Sequence, residues 1–301
     1  MVRTVGLIGL GNLGRPVGLH LLRAGFPLLV CDLDSSRLAA LVAGGARAAD
    51  SPRRLAEGGD VAITLLPGPA EVELVVYGAE GLLAGARPGW CYVDCSSSDP
   101  ALTRRVAADM AARGAAMLDA PLSGGVAGAT AGALTAMVGG EASVLEQVRE
   151  VLAAFAPRQF HVGGHGQGHA MKIVNQILVD VGLVAFCEAL LLGCKLGLDP
   201  QTMYEVVVAS AGNSHVFQRN APRLWGRDFQ PRWTVDIARK DLSLAAAAGE
   251  ASNVPLPMVA AALVAFDRAR TAGLGAEDAL AVIKPLEREA GIVVTAPEPE
   301  A

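Results

Sequence analysis

Val5-Gly6-Leu7-Ile8-Gly9-Leu10-Gly11-Asn12-Leu13-Gly14 runs an apolar strand pattern straight into G-x-G-x-x-G, and a helical pattern follows at once. This junction grips a dinucleotide pyrophosphate: Gly9 permits the tight turn, Gly11 keeps a side chain away from the phosphates, and Gly14 lets the helix pack close to the strand. Free N–H groups and the positive end of the helix dipole favour the anion, so Gly9, Gly11, Asn12, Leu13 and Gly14 are the expected pyrophosphate residues. The motif alone is weak in a chain of 35 glycines. Its context gives it weight, because the next strand pattern, Leu28-Leu29-Val30-Cys31, ends on Asp32. A carboxylate there accepts from both hydroxyls of an adenine ribose and repels the extra phosphate of NADP, which predicts NAD over NADP. Leu33 brings no cation, whereas Arg37 is close enough in sequence to swing back toward a phosphate.

The 301 residues, 52% of them hydrophobic, suffice for two domains with a substantial core and exclude a disordered chain. With a net charge of −5 and 25 Lys and Arg scattered without a run, there is no basic field for nucleic acid. The expected partners are small molecules and further copies of the chain. Cys31, Cys91, Cys95, Cys187 and Cys194 form no C-x-x-C pair and fall mostly in apolar patterns, so they read as small buried hydrophobes in a reducing cytoplasm. Met1-Val2-Arg3 leads directly into the first strand pattern, which leaves no room for a secretory leader ahead of it. The longest apolar run, 173–194, carries Asn175, Gln176, Asp180 and Glu188, and reads as a helix buried by protein on all sides rather than a membrane span.

Short apolar runs at 4–10, 28–33, 61–66, 91–95, 116–120, 134–138 and 160–162 alternate with helical patterns, as in a doubly wound parallel sheet. The expected architecture is therefore an α/β Rossmann dinucleotide-binding domain over 1–163, an all-α domain over 164–294 and a flexible tail over 295–301. The first helix of the second domain, about 167–195, is hydrophobic round most of its circumference, so contact with another subunit is expected. Ligands on such sheets sit beyond the carboxyl ends of the strands, which would bring Pro67, the serines at 96–98 and Ser123-Gly124-Gly125 to one crevice.

A nicotinamide enzyme must anchor its substrate and supply a proton donor or acceptor to the reacting oxygen. Asp119-Ala120-Pro121-Leu122-Ser123-Gly124-Gly125 ends a strand in a turn of backbone N–H groups and one hydroxyl, a nest suited to a carboxylate. In Lys172-Ile173-Val174-Asn175-Gln176, residues three and four apart share a helix face, so Lys172, Asn175 and Gln176 point the same way. Near a helix N-terminus, desolvated and beside an oxidised nicotinamide, the ammonium form of Lys172 is disfavoured and the amine can take an alcohol proton. Lys240-Asp241-Leu242 is by its local pattern an ordinary charged pair near a helix start. His161, His165 and His169 are spaced by four, but glycines at 163, 164, 166 and 168 interrupt any continuous helix and no carboxylate cluster joins them, so no metal is expected.

Five blocks together, Gly-Leu-Gly-Asn-Leu-Gly at 9–14, Asp94-Cys95-Ser96-Ser97-Ser98-Asp99-Pro100, 119–125 with 134–140, 166–176, and Lys240-Asp241-Leu242, resemble the β-hydroxyacid dehydrogenases. That family includes 3-hydroxyisobutyrate dehydrogenase and tartronate semialdehyde reductase types. The resemblance covers nearly the whole chain and implies a helical C-terminal domain that mediates homodimers or homotetramers. It also implies Lys172 as catalytic general acid/base; Ser123, Gly124 and Gly125 as the substrate-carboxylate turn, with Asn175 and Gln176 as polar partners; and Leu66, Pro67, Ser97 and Lys240 as residues that touch the cofactor. Asn175-Gln176 stands where many members have two asparagines, a variant that resembles the tartronate semialdehyde reductases, and His215 follows Ser214 where tryptophan is common; both positions are expected to shape the far end of the substrate pocket.

The expected activity is NAD-dependent interconversion of a small 3-hydroxy acid, 3-hydroxyisobutyrate-like or glycerate-like, with its semialdehyde or ketone. One alternative is imine reduction, carried out by relatives of the fold that usually lack the lysine. The other is a catalytically silent dinucleotide-binding scaffold, which would have no need of the lysine or the Ser-Gly-Gly turn.

Overall fold

The computed structural model describes residues 3–295 and divides into two compact units, Met1–Lys172 and Ile173–Ala301. Except for Thr295, the segment expected as a flexible tail lies outside the described residues.

Among the described residues the first unit carries nine strands: β1 Val5–Ile8, β2 Leu28–Cys31, β3 Arg47–Ala48, β4 Val61–Thr64, β5 Cys91–Asp94, β6 Ala116–Asp119, β7 Leu122–Ser123, β8 Thr135–Gly140 and β9 Arg158–Gly163. They form one sheet in the order β3-β2-β1-β4-β5-β6-β8-β7, with β9 alongside β8. The run from β3 to β6 is parallel in the 3-2-1-4-5-6 order of a Rossmann domain, and β8 runs antiparallel to β6 and β7. Successive residues of each central strand feed opposite cores. Val5, Leu7, Val61, Ile63, Cys91 and Val93 pack on one face; Ile8, Ala62 and Tyr92 pack on the other. Burial on both faces is why these strands read as continuous apolar runs rather than as alternation. β3 and β7 have only two residues each, too few to leave a period in the sequence.

Helices α1 Gly14–Arg23, α2 Ala39–Ala43, α3 Pro52–Gly58, α4 Pro69–Tyr77, α5 Leu82–Gly85, α6 Pro100–Ala112, α7 Gly125–Ala131 and α8 Ala142–Ala153 connect the strands. Two of them start with an acceptor side chain followed by proline at the first helical position. Ser51 Oγ accepts the Arg54 N–H ahead of α3, and Asp99 accepts the Ala101 N–H ahead of α6.

The long helix α9, Gln167–Lys195, starts in the first unit and continues into the second. The second unit is otherwise α10 Pro200–Val208, α11 His215–Trp225, α12 Val235–Ala251, α13 Pro257–Thr271 and α14 Ile283–Ala290. Its core is seeded by Leu183, Phe186, Cys187 and Leu190 of α9, an i, i+3, i+4, i+7 stripe, packed with Phe217, Leu242, Phe266 and Ile283. α9 is long and apolar enough to cross a membrane by length and composition. Here it is a core helix, although protein does not cover it all round within one chain. Val174, Leu178 and Leu192 are at least half exposed, as is Leu196 just past the end of the helix.

Candidate active site

The phosphate loop between β1 and α1 has the backbone its glycines demand. Gly9 sits at φ +89°, and a Cβ there would lie 2.3 Å from the Leu65 carbonyl oxygen. At Gly14 a Cβ would lie 1.8 Å from the Gly9 carbonyl oxygen, so the helix can approach the strand only without a side chain. Gly11 differs: nothing stands closer to its Cβ position than Arg37 Nη1 at 3.9 Å, which leaves an open cradle over the start of α1. Although the Arg15 N–H bonds the Gly11 carbonyl oxygen and Pro16 has none, the open backbone of the loop at the positive end of the α1 dipole fits a dinucleotide pyrophosphate. It opens into a groove of about 760 Å³ lined by Leu10, Asn12, Arg15, Ser36 and Arg37 among others.

Asp32 is fixed by backbone: its Oδ2 accepts the Leu10 N–H at 2.6 Å and its Oδ1 the Asp34 N–H at 2.9 Å. Each oxygen keeps a further lone pair for a ribose hydroxyl. Arg37 Nη1 lies 3.9 Å from Asp32 Oδ2, so the cation noticed in the sequence stands beside this carboxylate. At the ends of β4 and β5, the Leu66 N–H donates to Ser96 Oγ at 3.0 Å and the Ser96 N–H to Asp94 Oδ1 at 3.0 Å, tying the two loops together. Ser97 is half-buried, and the neighbouring Ser98 hydroxyl is buried without a hydrogen-bond partner.

Lys172 is buried, and its Nζ donates to the Leu122 carbonyl oxygen at 2.9 Å. That bond places the amine beside Ser123, Gly124 and Gly125. Gly124 has φ +128° and Gly125 φ +61°, so both N–H groups are presented by a turn that only glycine adopts without strain. Acidity is suppressed elsewhere. Burial raises all five thiols, Cys91 up to about 12, which leaves them protonated and unreactive at neutral pH.

In the second unit Asn175 Nδ2 donates to Gln176 Oε1 at 3.0 Å, and the buried Gln176 donates onward to Asp180 and Asp241. Gln176 is thus held inside an internal polar network. Lys240 pairs with the buried Asp241 at 2.9 Å, so the charged pair read as a solvated one is half interior. His215 is exposed at the first position of α11, after Ser214 caps the Phe217 N–H.

The three histidines do not converge. His161 Nε2 donates to Gly140 O, His165 Nε2 to Met117 O and His169 Nε2 to Ser96 O. Among the described residues no group of three or more His, Cys, Asp or Glu could hold a metal ion. Sequence reasoning missed the supports of the site: Asp119, Thr103 and the structural part of His169, whose partners lie 50 to 73 residues away in the chain.

A Rossmann sheet, a glycine cradle and a buried lysine beside a Gly-Gly turn define a dinucleotide-dependent oxidoreductase. Known proteins agree. Residues 4–164 match the NAD binding domain of 6-phosphogluconate dehydrogenase, and residues 166–286 match the NAD-binding domain of NADP-dependent 3-hydroxyisobutyrate dehydrogenase. The chain is 40% identical to 2-(hydroxymethyl)glutarate dehydrogenase of Eubacterium barkeri, with 97% of each chain covered. It is 39% identical to L-threonate dehydrogenase of Cupriavidus necator, over 94% of this chain and 96% of that one. The solved 3-hydroxyisobutyrate dehydrogenase of Mycobacterium tuberculosis with L-serine superposes with a TM-score of 0.87 at 33% identity, covering 95% of this chain and 99% of that one. The chain belongs to the β-hydroxyacid dehydrogenase family, and it is an NAD(P)-dependent oxidoreductase.

Proposed function

We propose that the protein reversibly oxidises a small 3-hydroxy acid, 3-hydroxyisobutyrate-like or glycerate-like, to its semialdehyde or ketone, with NAD preferred over NADP. The observation that carries the reading is the Lys172 Nζ to Leu122 O bond, which sets a buried amine next to the Ser123-Gly124-Gly125 turn. The substrate carboxylate takes the N–H groups of that turn and the Ser123 hydroxyl, and the carbinol hydroxyl sits on Lys172. Lys172 accepts the hydroxyl proton as the carbinol C–H bond breaks, and returns it to the carbonyl oxygen in the reverse direction. The nicotinamide dinucleotide, when bound, supplies the hydride acceptor. Two anchors on one short molecule hold the reacting carbon in a single place. Asn175 serves as a further polar partner of the substrate, with Gln176 behind it accepting from the Asn175 amide, and Leu66, Pro67, Ser97 and Lys240 serve as contacts of the cofactor. The relatives named for 2-(hydroxymethyl)glutarate and L-threonate support the substrate class. A panel of short hydroxy acids with NAD tests it: turnover of 3-hydroxy acids is expected, and activity confined to simple alcohols would remove the reading.

Asp32→Ala is expected to weaken NAD and narrow its advantage over NADP, because it removes both the ribose hydrogen bonds and the repulsion of a phosphate. The check is kcat/KM for both cofactors in wild type and variant. A wild type faster with NADP would move the assignment to Arg37, which already stands 3.9 Å from Asp32.

The cofactor and substrate units would work in a homodimer or homotetramer joined through the helical C-terminal unit. The support is the apolar face of α9. Val174, Leu178 and Leu192 of the helix, with Leu196 just past its end, stand four or fourteen residues apart, close to whole helical turns, and are 50%, 72%, 62% and 71% exposed. Leu178→Glu is expected to lower the solution mass measured by light scattering, and an unchanged mass would place the interface elsewhere. A reducing cytoplasm suits five unpaired cysteines.

A further inference from the structure

We propose that His169 is a positioning residue: it fixes the helical turn that carries Lys172 against the loop ends assigned to the cofactor. The proposal rests on Lys172 being the acid–base group of the reaction above.

His169 precedes Lys172 by three residues, one turn of α9. Its ring is fully buried and both nitrogens are engaged. Nε2 lies 3.1 Å from the Ser96 carbonyl oxygen, an atom that can only accept, so this nitrogen carries the hydrogen. Nδ1 lies 2.6 Å from Thr103 Oγ1 in the first turn of α6. Ser96 is the residue that also receives the Leu66 N–H, so the ring holds a segment that helps join the ends of β4 and β5. Asp94 and Asp119 each place an oxygen 3.9 Å from the ring, and Asp119 additionally accepts the N–H groups of Gly166 and His169 at 2.9 Å each. Those are donors at the start of α9 that the helix itself cannot satisfy.

The same turn is pressed onto the sheet. A Cβ on Gly168 would lie 2.5 Å from the carbonyl oxygens of both Asp119 and Met137, so the backbone of α9 already touches the end of β6 and the middle of β8. Backbone contact blocks movement toward the sheet. What remains is a swing of the turn about that contact, and the His169 ring, wedged between Ser96 and α6, opposes it. Among the described residues His169 makes no hydrogen bond or ion pair with the Ser123 turn or the phosphate loop, so its effect on the reaction passes through the placement of Lys172. Displacement of a reacting group by about 1 Å lowers rates by about 100-fold.

His169→Ala in the full-length protein is expected to lower kcat by about 10- to 100-fold, on the scale set by such displacements. NAD affinity, read by fluorescence titration without substrate, should stay within about threefold, consistent with loss of positioning rather than of cofactor contacts. The deuterium isotope effect on kcat for carbinol-deuterated substrate should rise, because a misplaced lysine makes the chemical step slower relative to product release. His169→Gln, whose amide can donate to Ser96 O and accept from Thr103, is expected to recover most of the loss. If His169→Ala does not fold cooperatively on heating, Thr103→Val serves in its place, with a smaller fall in kcat in the same direction. A folded His169→Ala or Thr103→Val enzyme with unchanged kcat, or one whose loss appears as weaker NAD binding, overturns the proposal. Lys172→Ala, measured alongside, separates the two ideas: if that variant keeps its turnover, the acid–base reading itself fails, whatever His169 does.

Discussion

Lys172→Ala is expected to lower turnover by about 100-fold or more, the scale of a positioned acid–base group, while NAD should bind nearly as well as to the wild type. The two effects separate because the amine lies at the Leu122 carbonyl and the Ser123 turn, whereas the phosphate loop and Asp32 belong to other elements of the sheet. The substitution also strips a donor from a buried carbonyl, which costs about 1–3 kcal/mol of stability. A melting curve accompanies the kinetics for that reason, and Lys172→Met, which keeps the stem of the side chain, is the companion variant. With folding intact in both, a fall in kcat that mirrors the fall in kcat/KM marks an interaction made in the transition state. Near-normal turnover in either variant means that another group moves the proton.

The fold was legible wherever a physical requirement repeats along the chain. Strands covered on both faces leave unbroken apolar runs, and the runs at 28–33, 61–66 and 91–95 contain β2, β4 and β5. α9 shows in the sequence because its apolar residues extend without a Gly or Pro break strong enough to stop it before Gly197. The site was legible where a residue type has few other uses: a glycine at φ +89° in the phosphate loop, a carboxylate at the end of β2, a lysine in an apolar helix. Its supports were not. Asp119 read only as a residue near the end of a strand, and His169 only as one of three histidines spaced by four. Their roles depend on which chain segments meet in space. The Asp119 carboxylate reaches the start of α9 across 47 residues, and the His169 ring reaches Ser96 across 73, separations at which no local period carries a signal. Gln176 shows the reverse case. Its side of the helix was evident from spacing, but its engagement with Asp241, 65 residues on, followed only from the packing of α9 with α12.

The substrate turn supplies the second large effect. Gly124→Val is expected to reduce kcat/KM far more than Ser123→Ala, because the alanine removes one hydroxyl bond worth about 1–3 kcal/mol, whereas valine blocks approach to the N–H groups. The structure adds a reason for caution in the choice of variant. Gly124 sits at φ +128°, and its Cβ would meet Leu134 Cδ2 at 3.0 Å, so valine also strains the turn itself. Gly125→Ala is the cleaner probe: its Cβ position has no neighbour within 4 Å, and the left-handed backbone at φ +61° costs alanine only about 1–2 kcal/mol. A methyl group there projects into the open space where the carboxylate would lie. Chemical variation of the ligand then decides between a steric and an electrostatic role. The amide or methyl ester of a good hydroxy-acid substrate loses the charge-assisted bonds, and because anchoring positions the carbinol carbon rather than merely raising occupancy, kcat should fall along with kcat/KM. In Gly125→Ala the acid should lose its advantage and behave like the ester. Acid and ester with comparable kcat/KM in the wild type would mean that no carboxylate is held at Ser123-Gly124-Gly125, and the buried lysine beside it would then serve an uncharged alcohol.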